Sequence, residues 1–344
     1  MLQARNHLIR VCALVAFVII LSFDCASLAQ TPSGTHQNPA QPQDPVKAKE
    51  IGDRMTKFRE SFEKSEASEY PALMNEMLEY AFSTGKGNPA YEEGIAVNLS
   101  YIFTYSKDWY VKKIGRPLIA DDMIKMLDAV KDPVQSVTVL RQWGEDLYRN
   151  MAESERDKFY AYVEGYFERK MPTDAFLTGV IHVAESMVLY EKEMLKRNKE
   201  KVNQTEEEVA IIKKRDDEIQ KRVVRFATCL ESTLKRIQKQ EKYEDSTISI
   251  LAAMQRLVRC EPEVKKIAIR NLREACQFTT NSLELRKYSV SALLIDFPDD
   301  PDYNSVENRD LIKKLAESEK DERLRRTFQA KYENAEAKAK KVNP

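Results

Sequence analysis

TEEEVAIIKKRDDEIQKRVVRFATCLESTLKRI, residues 205–237, carries apolar or small residues at Val209, Ile212, Ile219, Val223, Phe226, Leu230, Thr233 and Ile237, with Asp216 completing the ladder. The spacing alternates between three and four, which is the seam of a helix that packs along its length on another helix. Thr205 followed by Glu208 has the form of a capping box, so the helix is expected to start there. The preceding segment has its own ladder in Leu177, Val180, Ala184, Met187, Glu191, Met194 and Asn198, and Val202 to Gln204 reads as a short polar turn. Two seams joined by a tight turn predict an antiparallel helical hairpin over residues 173–242. More than half of the positions from 191 to 222 are charged. A segment so charged is expected to protrude into solvent, as a solvated arm or a partner-binding one. Its removal over residues 192–221 should then leave the rest of the fold about as stable.

Helical periodicity continues on both sides. Ile51, Met55, Phe58 and Phe62 recur at helical intervals, as do Leu73, Met74, Met77, Leu78 and Ala81, and then Ile95, Leu99, Ile102 and Phe103. Further helices are predicted near 117–130, 133–150 and 154–170. Pro45, Pro117, Pro133, Pro172 and Pro262 stand at first-turn positions, where a missing N–H costs nothing. Nine glycines in 344 residues are too few for the turns of a strand-rich fold. The expected class is all-α, a helical-hairpin array resembling an α-solenoid with a protruding antiparallel coiled-coil hairpin. An N-terminal helical region covers 46–172, the hairpin 173–242 and a C-terminal helical region 243–338, with a disordered tail at 339–344.

The first 29 residues have Arg5 and Arg10, an apolar run from Val11 to Phe23, and Ser27-Leu28-Ala29 before Gln30. This is the layout of a secretory signal peptide. The apolar run would rise only about 20 Å as a helix, short of a hydrocarbon core of about 30 Å. Asp24 before Cys25 argues against lipidation. The expected destination is export, periplasmic or secreted, after cleavage near Ala29–Gln30, with no stable membrane insertion thereafter. Residues 30–45 hold four prolines, one acid and no large apolar side chain, the composition of a disordered tether. Without the leader, which carries two arginines and one aspartate, 53 basic and 54 acidic side chains remain. So balanced a chain has no global attraction to nucleic acid.

A local pattern recurs toward the C-terminus. Glu261-Pro262-Glu263-Val264-Lys265 is followed by Ala268 and Leu272; Leu285-Arg286 by Ser289, Ala292 and Leu293; Leu324-Arg325 by Phe328, where a small residue is usual. Asp132-Pro133-Val134 with Val137 and Leu140 echoes it. These stretches resemble the second helix of HEAT-type helical repeats. Leu285 and Leu324 lie 39 residues apart, near the period of such repeats, whereas Val264 to Leu285 is only 21. The resemblance covers about 100 residues. It implies stacked helix pairs offering an extended surface to protein partners, without catalysis.

Motifs for chemistry are sparse. Beyond the leader only His36 and His182 remain, and there is no HExxH, paired CxxC, GxSxG or phosphate loop. No metal or cofactor is expected, and the chain is read as non-enzymatic. A rival reading keeps an envelope hydrolase using paired carboxylates among Asp121, Asp122, Asp146, Glu164 and Glu168. Tyrosines concentrate in YIFTYSKDWY (101–110) and FYAYVEGYF (159–167). Rings bearing hydroxyls suit peptide or glycan recognition, so Tyr105, Trp109, Tyr160 and Tyr166 are the candidate ligand residues, although core and boundary packing is the commoner reason for such runs. Asn98 and Asn203 fit the glycosylation sequon; Asn98 lies in an apolar helix, which leaves Asn203. Cys260 and Cys276 would lie about 24 Å apart along one helix, too far for a disulfide. Cys229 and Cys260 are the candidate bridge, the alternative being three buried thiols, and Cys276 is expected to be a buried free thiol. The expected partners are proteins, with self-association left open.

Overall fold

Alternate helices stack on one another in two layers. The computed structural model describes residues 44–85, 89–169, 173–201, 204–238, 240–277, 282–294 and 300–342, and residues 48–344 cluster as one compact unit. Among the described residues there is no strand. The helices are α1 (Pro45–Lys64), α2 (Tyr70–Gly85), α3 (Pro89–Ile114), α4 (Ala120–Ala129), α5 (Pro133–Val139), α6 (Glu145–Asn150), α7 (Glu153–Glu168), α8 (Asp174–Lys199), α9 (Glu206–Ile237), α10 (Glu244–Cys260), α11 (Val264–Gln277), α12 (Leu283–Leu294), α13 (Val306–Ser318) and α14 (Glu322–Val342). A π-helical turn, Leu140–Gly144, joins α5 to α6. In one layer α5 and α6 pack on α8, α8 on α10, α10 on α12 and α12 on α14; in the other α2 packs on α4, α4 on α7, α7 on α9 and α9 on α11. Consecutive helices close the layers against each other, and the chain is an all-α helical array.

Local chemistry sets the helix starts. Asp132 accepts from the Gln135 N–H at 3.0 Å, Thr173 from Phe176 at 3.1 Å, and Ser305 from Asn308 at 3.2 Å, each satisfying a donor that the first turn leaves open. Thr205 and Glu208 form the reciprocal capping box that their spacing predicts. Gly115, at φ 67°, ends α3 in the left-handed conformation that other residues resist.

Within each layer, paired polar groups tie alternate helices where apolar packing alone would leave the register loose. Asp174 at the start of α8 accepts from the Ser246 N–H at 3.0 Å, and the Thr178 and Ser246 hydroxyls lie 3.1 Å apart. Arg270 and Asn271 of α11 both donate to Glu231 of α9. Tyr288 donates to Gln255, whose amide reaches the Ala292 carbonyl, linking α10 to α12. Leu285 and Leu324 are buried near the starts of α12 and α14, alternate helices of one layer, while Val264 begins α11 in the other. One helix pair separates the first two, and a single helix separates Val264 from Leu285, which accounts for the unequal intervals of 39 and 21 residues.

Close approach of α5 and α8 depends on Gly179, where an added Cβ would collide with the Val137 Cγ1. Gly179→Ala should destabilise by about 1–3 kcal/mol through overpacking, although alanine favours an isolated helix. Gly165 on α7 faces open space, so Gly165→Ala should instead stabilise by about 0.5–1 kcal/mol. Urea melts of the two variants should therefore differ in sign.

Three expectations are corrected. The hairpin is not free along its charged length: Leu195 and Ile219 are buried, and Arg215 on α9 pairs with Glu153 and Asp157 of α7 and Glu191 of α8. The far end is open, with Val209 and Ile211 exposed. Excision of 192–221 would remove that anchorage, so a loss of stability is the expected result in place of an unchanged one. The C-terminal tail is helical through Val342, because AEAKAKK is rich in strong helix formers and Lys340 approaches Glu336 at i,i+4; residues 343–344 lie outside the described residues. Cys229 and Cys260 are free thiols. Cys229 lies among Glu164, Glu168 and Arg225, facing α7, while Cys260 lies near Glu185 and Lys192 of α8. The two side chains have different neighbours. Cys276 is buried and free, and burial pushes its thiol up to about 12. The leader, the tether as far as residue 43, His36 and Asn203 lie outside the described residues.

Candidate functional site

The middle of α3, residues 95–106, carries no charged side chain, between the charged ends with Glu92, Glu93, Lys107 and Asp108. So apolar a stretch is expected to be covered. Tyr91, Ile95, Ile102, Phe103 and Ser106 of α3 are buried, and the helix packs on α2, the turn Ala67–Glu69 and the π-helical turn. Its other side stays open. Val97 is 60% exposed, Tyr101 49% and Tyr105 39%, at successive intervals of four. Residues four apart lie one above the other on a helix surface, so these form a continuous stripe. Trp109 continues it, half-buried against the core. The Tyr101 and Tyr105 rings have centroids 4.5 Å apart and tilted by 57°, and Tyr105 and Trp109 follow at 5.8 Å and 32°. The Tyr101 hydroxyl donates to that of Tyr105 at 3.2 Å. Arg59 of α1 adds a positive charge near the Tyr105 hydroxyl.

A different face of α3 forms one wall of an open cleft of about 650 Å³. Phe82 from α2, Ile95, Leu99 and Phe103 from α3, and Thr138 and Gln142 from the α5 and π-turn segment line it. Trp143 fixes that wall: its ring is buried and its Nε1–H donates to the Phe103 carbonyl at 3.0 Å. The indole reaches this carbonyl from the π-helical turn, and such turns often accompany functional surfaces.

Of the four aromatic candidates, the structure brings two together and removes two. Tyr105 and Trp109 stand on the α3 stripe. Tyr160 and Tyr166 are each 1% exposed, on the face of α7 that packs against α4, α8 and α9. Burial pushes both hydroxyls above the ordinary tyrosine value. Their run in the sequence is core, because positions 159, 160, 163, 166 and 167 fall on one buried face. Sequence reasoning passed over Val97, Tyr101 and Phe82. The spacing 97–101–105–109, set against the buried 95–102–103–106 face, was the available signal.

The carboxylates considered for hydrolysis are dispersed in ion pairs. Asp121 pairs with Lys158 at 2.5 Å, Asp122 with Arg116 at 2.6 Å, Asp146 with Lys107 at 2.8 Å, and Glu164 with Arg225; Glu168 is exposed. Burial favours protonated Asp122, but hydrogen bonds from Arg116 and the Ile119 N–H, with the charges of Arg116 and Lys125, together outweigh it and hold the carboxyl below its ordinary value. His182 is half-buried on α8, its basicity lowered first by burial and then by Arg141. Among the described residues no cluster of His, Cys, Asp or Glu could hold a metal ion, and no helix is long and apolar enough to cross a membrane. The arrangement offers contact area and hydrogen-bonding hydroxyls, which suits recognition.

The fold and this surface define an all-α helical-array protein with an exposed aromatic face. No protein-family model matches the chain, and no curated protein matches it.

Proposed function

We propose that this protein is an exported, non-enzymatic helical scaffold that binds a polypeptide partner through the aromatic stripe of α3 and the adjoining cleft. The observation that carries the reading is the solvent-exposed run Val97, Tyr101 and Tyr105 on the uncharged middle stretch of α3. Tyrosine and tryptophan dominate binding energy at protein interfaces because they give large rigid contact area at low entropic cost. The mutual tilt of the rings favours a side-chain-studded polypeptide over the flat stacking that a sugar ring needs. The HEAT-like stretches and the two-layer stacking support a scaffold role, since arrays of this kind work through extended surfaces.

A photo-crosslinking residue placed at position 97 or 101, with position 211 on the hairpin as control, should capture a partner polypeptide only from α3. Tyr101→Ala and Tyr105→Ala should then each weaken the purified complex about thirtyfold, given hot-spot losses of about 2 kcal/mol each. Adducts formed at position 211 and absent from α3 would move the interface to the arm and overturn the assignment.

A further inference from the structure

We infer that the groove where α9 meets the start of α11 binds an organic cation, an ammonium or guanidinium group, with Glu261 as its anchor. The groove has a volume of about 500 Å³ and is lined by Asp217, Gln220, Lys221, Val224 and Arg225 of α9 and by Glu261 and Glu263. Glu261 is only 7% exposed, and its Oε2 is buried without a hydrogen-bond partner. A carboxylate withdrawn from water without compensation is costly, so it needs a reason to be there.

Capping does not supply one. Asp132, directly before α5, uses its carboxylate on the Gln135 N–H, whereas Glu261 stands three residues before Val264, where α11 begins. The Glu261 Oε2 makes no such bond before α11. Nor do the neighbouring cations serve it. Arg225 is engaged by both oxygens of Glu164, Lys265 by Asp300 and Asp302, and Lys192 approaches Asp216 at 3.6 Å. With Arg225 so neutralised, the lining sets the carboxylates of Asp217, Glu261 and Glu263 against the single ammonium of Lys221.

The lining also selects the kind of cation. Among the described residues no acidic cluster is tight enough for a metal ion, so the carboxylates suit a guest with N–H donors spread along its length. Val224 offers an apolar contact for a methylene stem. A free polyamine and a lysine- or arginine-bearing polypeptide share this chemistry.

Calorimetric titration of the full chain with spermidine, with a short Lys/Arg peptide and with a Glu peptide as control distinguishes the sources. Saturable binding of either basic probe is expected, weakened about tenfold or more by Glu261→Gln and strengthened by Lys221→Ala, which removes the groove's own competitor. Equal affinity for both probes would assign a free cation, and binding of the peptide alone a polypeptide side chain; both outcomes support the site. Glu261→Gln should leave the melting temperature unchanged or raised, and a clear fall would give the carboxylate a structural partner and overturn the proposal. Equal affinity of wild type and Glu261→Gln, or no saturation by about 1 mM, would overturn it as well.

Discussion

Arg215→Ala should destabilise the protein by about 3–5 kcal/mol, because it strands a buried carboxylate. The Arg215 side chain is 11% exposed and that of Glu191 4%, their atoms 2.8 Å apart, and the same guanidinium reaches Glu153, Asp157 and Glu218. Without it Glu191 keeps only Arg156 at 3.5 Å among its ion pairs, and the hairpin loses its hold on α7. For a domain of this size the expected fall in melting temperature is roughly 5–10 °C. Arg215→Met retains the stem and should cost nearly as much, whereas Arg215→Met with Glu191→Gln should recover most of the loss, since no unpaired charge remains. Val209→Ser, at the open end, should change stability by less than about 0.5 kcal/mol.

The same contact predicts a pH dependence. Burial pushes the Asp157 carboxyl up, but hydrogen bonds from Arg215 and Arg222 outweigh it and hold the group below its ordinary value. A depressed folded-state value contributes stability in full above the unfolded value of about 3.9, and that stability is lost as pH falls through the folded one. Wild type should lose stability on acidification below about pH 4, and Arg215→Ala should lose less over the same window. Parallel curves would show that the carboxylate is not coupled to Arg215.

Trp143→Ala should cost about 3–5 kcal/mol, as expected for deleting a large buried ring. The ring is 1% exposed, lies 6.0 Å from the Tyr110 ring, and donates its indole N–H to the Phe103 carbonyl. Trp143→Phe keeps part of the volume and should cost less, and about 1 kcal/mol of that loss belongs to the missing hydrogen bond. The Phe103 carbonyl still receives the Ser106 hydroxyl at 3.2 Å. A urea midpoint lowered at constant slope would mark a loss of stability alone. Because Trp143 fixes the wall of the cleft, Trp143→Ala should also weaken partner binding through α3, although it touches neither Tyr101 nor Tyr105 directly.

The helices were legible because periodicity, proline placement and caps act within a few residues of one another. Thr205 with Glu208, Pro133 behind Asp132, and the 219–223–226–230 seam all announce local structure that the array then uses. Tyr160 and Tyr105 show the limit. Both lie in tyrosine-rich helical runs, and only the packing of α7 against three helices, set against the open side of α3, buries one and exposes the other. Arg215 shows it again, since its partners stand on α7 and α8, some 24 to 62 residues earlier in the chain.

By itself the sequence determined that this chain is helical, where most helices begin, and which faces are apolar, since these follow from short-range sterics and hydrogen bonding. Tertiary structure alone decided which apolar face finds a neighbour and which charged residue finds its counter-charge. Those outcomes depend on distances between segments far apart in sequence, and desolvation then makes the same residue type core in one helix and surface in another.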